Sequence, residues 1–152
     1  MLVQAGTILE ATEELDGTFF EKAIILIVEK NEKGATGFVC NKIFDRKLNE
    51  LVEFRHSPSF PLYDGGPVGR EHLHFIHHRP DLIKDGNEVA PSVFHSGDFK
   101  QAVTGINNKS ITDADIKIFI GYCGWDAGEL EAEIEEGSWE ISDKATIFNQ
   151  KF

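Results

Sequence analysis

The clearest pattern of apolar positions lies between residues 22 and 42. The segment KAIILIVEK (22–30) is rich in β-branched residues and is bounded by charges, which predicts a buried strand. The four residues NEKG then supply a turn, and ATGFVCNK (35–42) returns as a second apolar run. We therefore expect residues 22–42 to form a β-hairpin.

Three later segments have apolar residues at the spacing that is typical of a helix or of a strand. SGDFKQAVTGIN (96–107) has apolar residues at i, i+3, i+4 and i+7 from Phe99, which predicts a helix with one buried face. RKLNELVEFR (46–55) places Leu48, Leu51 and Val52 at helical spacing with charges on the other side, which predicts a short amphipathic helix. DIKIFIGYCG (115–124) has isoleucine at every second position, with Ile116, Ile118 and Ile120 on one side, which predicts a strand.

The remaining segments complete the expected elements. PSFPLYDGGPVG (58–69) holds three prolines and three glycines, so we expect it to interrupt regular structure. EHLHFIHH (71–78) alternates as a strand does, and NEVAPSVFH (87–95) is expected as an irregular edge segment because Pro91 has no N–H to donate. WEISDKATIFN (139–149) predicts a final strand and turn.

The order of these elements indicates the fold class. Strands come first as a hairpin and then mix with helices without a regular βαβα alternation, which favours an α+β fold with a mixed, largely antiparallel sheet. A chain of 152 residues without repeats or linkers fits one domain over 1–152. Its longest aliphatic run, Ala23–Val28, is far shorter than the roughly 20 residues of a membrane helix.

Cysteine content and charge narrow the classes of partner. Cys40 and Cys123 are too few for a disulfide framework and are expected as buried thiols, and no signal peptide is evident, so we expect a cytoplasmic location. The net charge is −11, and more than half of the excess lies in residues 111–152. Because nucleic-acid binding depends on basic residues that neutralise phosphates, this balance argues against direct contact with DNA or RNA.

The stretch GYCGWDAGELEAEIEEGSW (121–139) concentrates five glutamates between two tryptophans. Asp126 and Glu129 have the spacing of a capping box and Gly137 suits the residue after a helix end, so we predict a helix over 126–137. Its apolar stripe consists of Ala127, Leu130 and Ile134. Catalytic carboxylate pairs need environments that separate their pKa values, and we therefore interpret the glutamates as a solvated outer face.

Histidines raise a metal hypothesis. His72, His74 and His78 share one face of the predicted strand, whereas His77 points the other way. A Zn²⁺ site needs three or four ligands, so a further one would have to come from His95 or an acidic side chain. We keep this cluster as an alternative and predict neither a metal nor a cofactor.

Glycines and aromatic residues give this chain a resemblance to the YqgE/AlgH family of bacterial proteins. The hairpin pattern GAxGxVxN is matched by Gly34, Ala35, Gly37, Val39 and Asn41, and the pattern YxGGPV by Tyr63, Gly65, Gly66, Pro67 and Val68. The pattern GYxGWxxGQLExEIxxGxW is met by Gly121, Tyr122, Gly124, Trp125, Gly128, Leu130, Glu131, Glu133, Ile134, Gly137 and Trp139. The chain departs from the family at Ile43, Cys123 and Glu129. The resemblance implies a cytoplasmic α+β fold with a curved sheet flanked by helices. It implies no established activity, although one branch is labelled a transcriptional regulator of polysaccharide synthesis.

These observations favour a non-catalytic regulatory or interaction module that acts through a protein partner or a small ligand. We expect its functional surface to join the DGGPVG loop to the GYCGW turn. The candidate residues are Asn41, Tyr63, Gly65, Gly66, Pro67, Tyr122, Gly124 and Trp125. Asn41 and Trp125 also have structural interpretations, the first closing a turn and the second packing beneath the helix start. The alternatives are a ligand-binding protein or enzyme that uses the same cleft, and metal binding by His72, His74 and His78.

Overall fold

A ten-stranded sheet organises the computed structural model, which describes residues 3–142. The strands are β1 (Ile8–Ala11), β2 (Ile24–Asn31), β3 (Gly34–Val39), β4 (Ile43–Lys47), β5 (Pro61–Asp64), β6 (Val68–His77), β7 (Asn87–Ala90), β8 (Val93–His95), β9 (Ile116–Asp126) and β10 (Trp139–Ser142). The two α-helices are α1 (Phe99–Asn107) and α2 (Glu129–Glu135). No helix in this described part of the chain is long and apolar enough to cross a membrane.

The strands run in the order β10-β1-β2-β3-β9-β6-β8-β7, and β4 and β5 branch from this path. β5 pairs with β9 in parallel, whereas the pairs along the main path are antiparallel. The predicted α+β fold with a mixed, largely antiparallel sheet is therefore confirmed.

The sheet curves strongly. β1 is the second strand of the order and β7 the last, yet Ile8 of β1 and Val89 of β7 belong to one buried cluster. This inner cluster also contains Leu26, Val28, Phe38, Cys40, Ile76 and Phe119. At its centre the rings of Phe38 and Phe119 stack with their centroids 4.6 Å apart. Because neighbouring side chains of a strand point to opposite faces, the outer face of the same strands carries a second set of apolar residues.

Two outer clusters cover that second face. The α2-side cluster includes Leu9, Ile25, Ile27, Val39, Cys123, Trp125, Leu130 and Trp139. The α1-side cluster includes Leu48, Leu62, Phe75, Ala102, Ile106, Ile116, Ile118 and Ile120. Each helix thus buries its apolar face on the sheet, as expected for a curved sheet flanked by helices.

Most periodic segments have the predicted structure. The hairpin over 22–42 is confirmed, with Asn31 paired to Gly34 across the turn. The helix predicted from SGDFKQAVTGIN is α1, whose N-cap Asp98 accepts a hydrogen bond from the Gln101 N–H. The edge segment 87–95 is the β7–β8 hairpin, and β7 is the last strand of the order. The final strand is β10, but the turn predicted after it lies outside the described residues.

Two predictions in the middle of the chain were wrong. Residues 46–55 do not form a helix, because β4 continues to Lys47 and two 3-10 turns follow, Leu48–Glu50 and Val52–Phe54. Val52, assigned to the buried stripe, is 76% exposed. The proline-rich stretch 58–69 contains a real strand, since β5 begins at Pro61, the strand position where a missing N–H matters least.

Candidate functional site

The Gly65–Gly66 segment is a packed part of the sheet. Gly65 N–H donates to the Ile120 carbonyl at 2.8 Å, and the Gly65 carbonyl accepts from Val39 N–H at 2.9 Å. One residue, Gly65, therefore bridges β3 and β9 through its backbone, and both glycines are buried. Pro67, the next residue, is exposed. The loop that we expected to flank a cleft instead connects β3 and β9 through backbone hydrogen bonds.

The GYCGW segment, which we expected to turn beside the DGGPVG loop, instead continues the strand predicted over 115–124 and forms the second half of β9. Gly121 has φ of +75°, a conformation that L-residues with side chains rarely adopt. A Cβ at Gly121 would lie 2.3 Å from the Gly66 carbonyl oxygen, and one at Gly65 would lie 2.6 Å from the Gly121 oxygen. The two glycine segments thus touch backbone to backbone, and this contact occupies the place where we expected a cleft.

Two of the predicted residues lie away from this contact. Asn41 accepts a hydrogen bond from Ile24 N–H and donates one to the Lys22 carbonyl, both at 2.9 Å, so it ties the ends of the hairpin as its structural interpretation required. Tyr63 covers Lys117, whose Nζ lies 4.0 Å from the ring centroid. Burial lowers the pKa of Lys117 and raises the pKa of Tyr63.

The tryptophans of the glutamate-rich stretch share one acceptor. Trp125 Nε1–H donates to Glu133 Oε1 at 3.1 Å, and Trp139 Nε1–H donates to the same oxygen at 3.0 Å. Both indoles are buried, so each N–H needs a partner inside the protein. Glu133 therefore does not belong to the solvated face to which we assigned it. The signal for this role was the pair of tryptophans on either side of the helix.

The helix that carries Glu133 is shorter than predicted. Asp126 is the last residue of β9 and not an N-cap, because the N-cap of α2 is Gly128 with φ of +81°. Half of the expected capping box survives, since Asp126 N–H donates to Glu129 Oε1 at 3.2 Å. Gly137 follows the C-cap with φ of +89°, as its spacing predicted.

An open groove of about 410 Å³ lies over the end of the β2–β3 hairpin and the second half of β9. Three predicted residues line it, namely Tyr122, Gly124 and Trp125. Thr36 and Val68 also line it, from β3 and from the start of β6. The part of β9 that best matched the family pattern is therefore also the part that faces this groove.

Gly124 forms part of the groove wall and differs from its glycine neighbours. Its φ is not positive, and a Cβ built on it would meet only the Tyr122 ring, at 3.5 Å, an ordinary van der Waals contact. It is exposed two residues before the end of the eleven-residue strand β9, and a glycine within a strand weakens it. A strand glycine that the fold does not require often marks a place where a ligand or another chain approaches closely.

The three histidines of the metal hypothesis do not converge. His72 Nε2 lies 3.5 Å from the Glu71 carboxylate, and His78 Nε2 lies 3.3 Å from the Asp115 carboxylate. His74 instead packs between the rings of Phe38 and Tyr122. Within residues 3–142, no group of three or more His, Cys, Asp or Glu side chains is placed to hold a metal ion.

Other histidines are held neutral inside the sheet. His77 is fully buried; its Nδ1 accepts from Arg79 N–H at 3.1 Å, and its Nε2 lies 3.2 Å from the Ser96 carbonyl. Burial lowers the pKa of His77, and it also lowers those of His74 and His95. Other causes are secondary. For His77, the hydrogen bond with the Ser96 backbone raises the pKa, His78 lowers it and Asp81 raises it. His74 lowers and Glu29 raises the pKa of His95, and His72 lowers that of His74.

These pKa shifts predict acid sensitivity. An unfolded histidine has a pKa of about 6.5, so below that pH the unfolded chain binds more protons than the folded one. We expect full stability above about pH 7 and a progressive loss as the pH falls below 6.5. The urea midpoint should therefore be lower at pH 5.5 than at pH 7.5, and the difference should shrink in His74→Phe. The exposed His56 gives the control, since His56→Asn should leave the difference unchanged; equal midpoints at the two pH values would contradict the prediction.

Both cysteines are buried, as predicted. Burial raises the pKa of Cys40 and that of Cys123 to about 12. Since the thiolate is the nucleophilic form, neither thiol is activated at neutral pH.

Comparisons with known proteins agree with this architecture. A family model described as AlgH-like matches residues 8–151. A UPF0301 protein of Chlorobaculum parvum is 38% identical over 153 residues, which cover 99% of this chain and 82% of that protein. A UPF0301 protein of Parabacteroides distasonis is 37% identical over 143 residues, covering 93% of this chain and 72% of that one.

Two solved structures share the fold. A crystal structure of a Corynebacterium diphtheriae protein has a TM-score of 0.74 at 19% identity and covers 95% of this chain and 78% of that one. The solution structure of the AlgH protein from Pseudomonas aeruginosa has a TM-score of 0.70 at 24% identity and covers 93% of this chain and 77% of that one.

Proposed function

The chain belongs to the AlgH-like family, and from the groove beside Gly124 we propose that it is a non-catalytic interaction module that binds an extended segment of a partner protein. The observation that carries this proposal is the exposed glycine in β9, which nothing in its surroundings requires. A segment of another chain can approach the β9 backbone at Gly124 more closely than at any residue with a side chain.

The shape of the groove favours a protein segment over a small molecule. Sites for small molecules are concave and bury most of their ligand. This groove is open, and Glu29, Val68, Gly124 and Asp126 on its walls are exposed. An extended peptide suits such a surface, because it spreads its contacts along several exposed positions.

The proposal extends to location and to the class of partner. We place the protein in the cytoplasm, where thiols remain reduced, and the absence of a disulfide between Cys40 and Cys123 supports this. The partner is a protein and not a nucleic acid, because a net charge of −11 repels phosphates.

Peptide display tests the proposed function. Random twelve-residue peptides selected on the immobilised protein should bind Gly124→Val at least about ten-fold more weakly, because the new side chain fills the centre of the contact. The melting temperature of Gly124→Val should stay close to that of the wild type, since a β-branched residue suits a strand.

A control variant shows whether a new valine weakens peptide binding because it fills the groove or because it lies anywhere on the surface. Thr104→Val places a valine on the exposed side of α1, remote from the groove, and should leave peptide binding unchanged. Peptides that bind the wild type and Gly124→Val equally well would contradict the groove as the binding surface.

A further inference from the structure

The groove has a charge pattern that identifies the chemistry of its occupant. Resting on the proposed function, we propose that the groove captures a cationic group, the lysine or arginine side chain of the partner segment. The proposal depends on three features of the described residues: two carboxylates, an aromatic wall and a glycine between them.

The carboxylates come from the strand register. Glu29 of β2 pairs with Thr36 of β3, and Thr36 pairs with Gly124 of β9, so the three positions form one row across the sheet. Asp126 lies two residues beyond Gly124 and therefore faces the same side of β9. Both carboxylates line the groove, and within residues 3–142 neither side chain forms a hydrogen bond or an ion pair.

The aromatic wall is Tyr122, which precedes Gly124 by two residues on the same face. Its Cε2 atom would lie 3.5 Å from a Cβ at Gly124, and its Cε1 atom 2.7 Å from a Cβ at Gly69. Tyr122 lines the groove and is half-buried, so part of its ring is available to a ligand. An aromatic ring attracts an ammonium or guanidinium group through its quadrupole, in addition to the attraction of the two carboxylates.

The balance of charge favours a cation over an anion. Lys33 is the single basic side chain among the described residues that line the groove, against the acidic Glu29 and Asp126. The whole chain has a net charge of −11, and its negative potential also attracts cations to the groove. Val68, 43% exposed at the rim, offers an apolar contact beside the charge. A side chain with an apolar stem and a charged end, as lysine and arginine have, matches this combination.

The experiment uses three nonapeptides with blocked termini. All three have a valine next to the central residue, and they differ only in that central residue, which is lysine, glutamine or glutamate. Binding is followed through the backbone amide resonances of Gly34, Gly124 and Asp126 at low ionic strength. We expect the lysine peptide to shift these resonances and to bind about five-fold or more tightly than the glutamine peptide, with no shift from the glutamate peptide.

Charge variants of the protein give matched controls. Glu29→Gln and Asp126→Asn should each weaken binding of the lysine peptide about three-fold, as expected for the loss of one exposed ion pair. Lys33→Gln should strengthen binding by a similar factor, because it removes the repulsive charge. Glu140→Gln makes the same charge change on β10, outside the groove, and should have no effect.

The outcomes distinguish the inference from the proposed function. Equal shifts from all three peptides at Gly124 would overturn the cationic inference and leave the peptide-binding function standing. No shift from any peptide would contradict both. If free spermidine shifted the same resonances as strongly as the lysine peptide did, the occupant would be a small polyamine and the assignment to a protein side chain would be wrong.

Discussion

Replacing Gly121 by alanine is expected to lower the free energy of unfolding by about 3–5 kcal/mol. An alanine held at φ of +75° costs about 1–2 kcal/mol in backbone strain alone. Its Cβ would also lie 2.3 Å from the Gly66 carbonyl oxygen, so the Gly65–Gly66 segment that connects β3 and β9 must move. Chemical denaturation followed by tryptophan fluorescence measures the loss.

The same strand provides the matched control. Gly124→Ala adds the same methyl group three residues later, where it would make only an ordinary contact with Tyr122. Because alanine loses less chain entropy than glycine does, this variant should be as stable as the wild type or more stable by about 0.5 kcal/mol. Equal stability of the Gly121 and Gly124 variants would show that the backbone contact with Gly66 contributes nothing.

Replacing Glu133 by alanine is expected to cost about 2–4 kcal/mol. The change leaves two indole N–H groups, those of Trp125 and Trp139, without their shared acceptor in a buried environment. Each unsatisfied buried donor costs roughly 1–3 kcal/mol. For a chain of this size the melting temperature should fall by roughly 5–15 °C. Calorimetry measures this shift, and near-ultraviolet circular dichroism reports the loosening of the tryptophans.

Two variants show whether the hydrogen bonds or the helix are responsible. Glu133→Gln keeps a carbonyl oxygen and should retain most of the stability, because a neutral acceptor still satisfies the indoles. Glu135→Ala removes an exposed glutamate from the same helix and should stay within about 0.5 kcal/mol of the wild type. A loss as large in Glu135→Ala as in Glu133→Ala would contradict the assignment of the effect to the indole hydrogen bonds.

The local pattern of apolar residues predicted an element correctly where the residues of that short segment alone determine its structure. The hairpin over 22–42 was predicted from two apolar runs on either side of a turn, and helix α1 from one apolar stripe at helical spacing. The prediction for residues 46–55 was wrong because Leu48 and Leu51 fit a helical spacing, whereas pairing between β4 and β5 decides the backbone there. Such pairing depends on residues distant in sequence, which periodicity does not report.

In the candidate site, too, some features could be predicted from the sequence and others depend on contacts between distant residues. The importance of Gly121, Gly66 and Trp125 was visible in the family pattern, but whether each shapes the backbone or faces solvent was not. Gly66 and Gly121 are required by a contact between two strands, and Gly124 is not, although all three are the same residue type. The role of Glu133 depended on two indoles meeting one oxygen, a geometry that exists only after α2 has packed on β9.

Strand β9 has a consequence for how the protein is made. It pairs with β3, β5 and β6, and Ile118, Phe119 and Trp125 each belong to a different buried cluster. A ribosome synthesises the preceding 115 residues before β9 appears, and until then none of the three clusters can close. The growing chain therefore exposes the apolar hairpin over 22–42 for most of its synthesis. Even after β9 has been translated, the α2-side cluster waits for Leu130 and Trp139 before it can close.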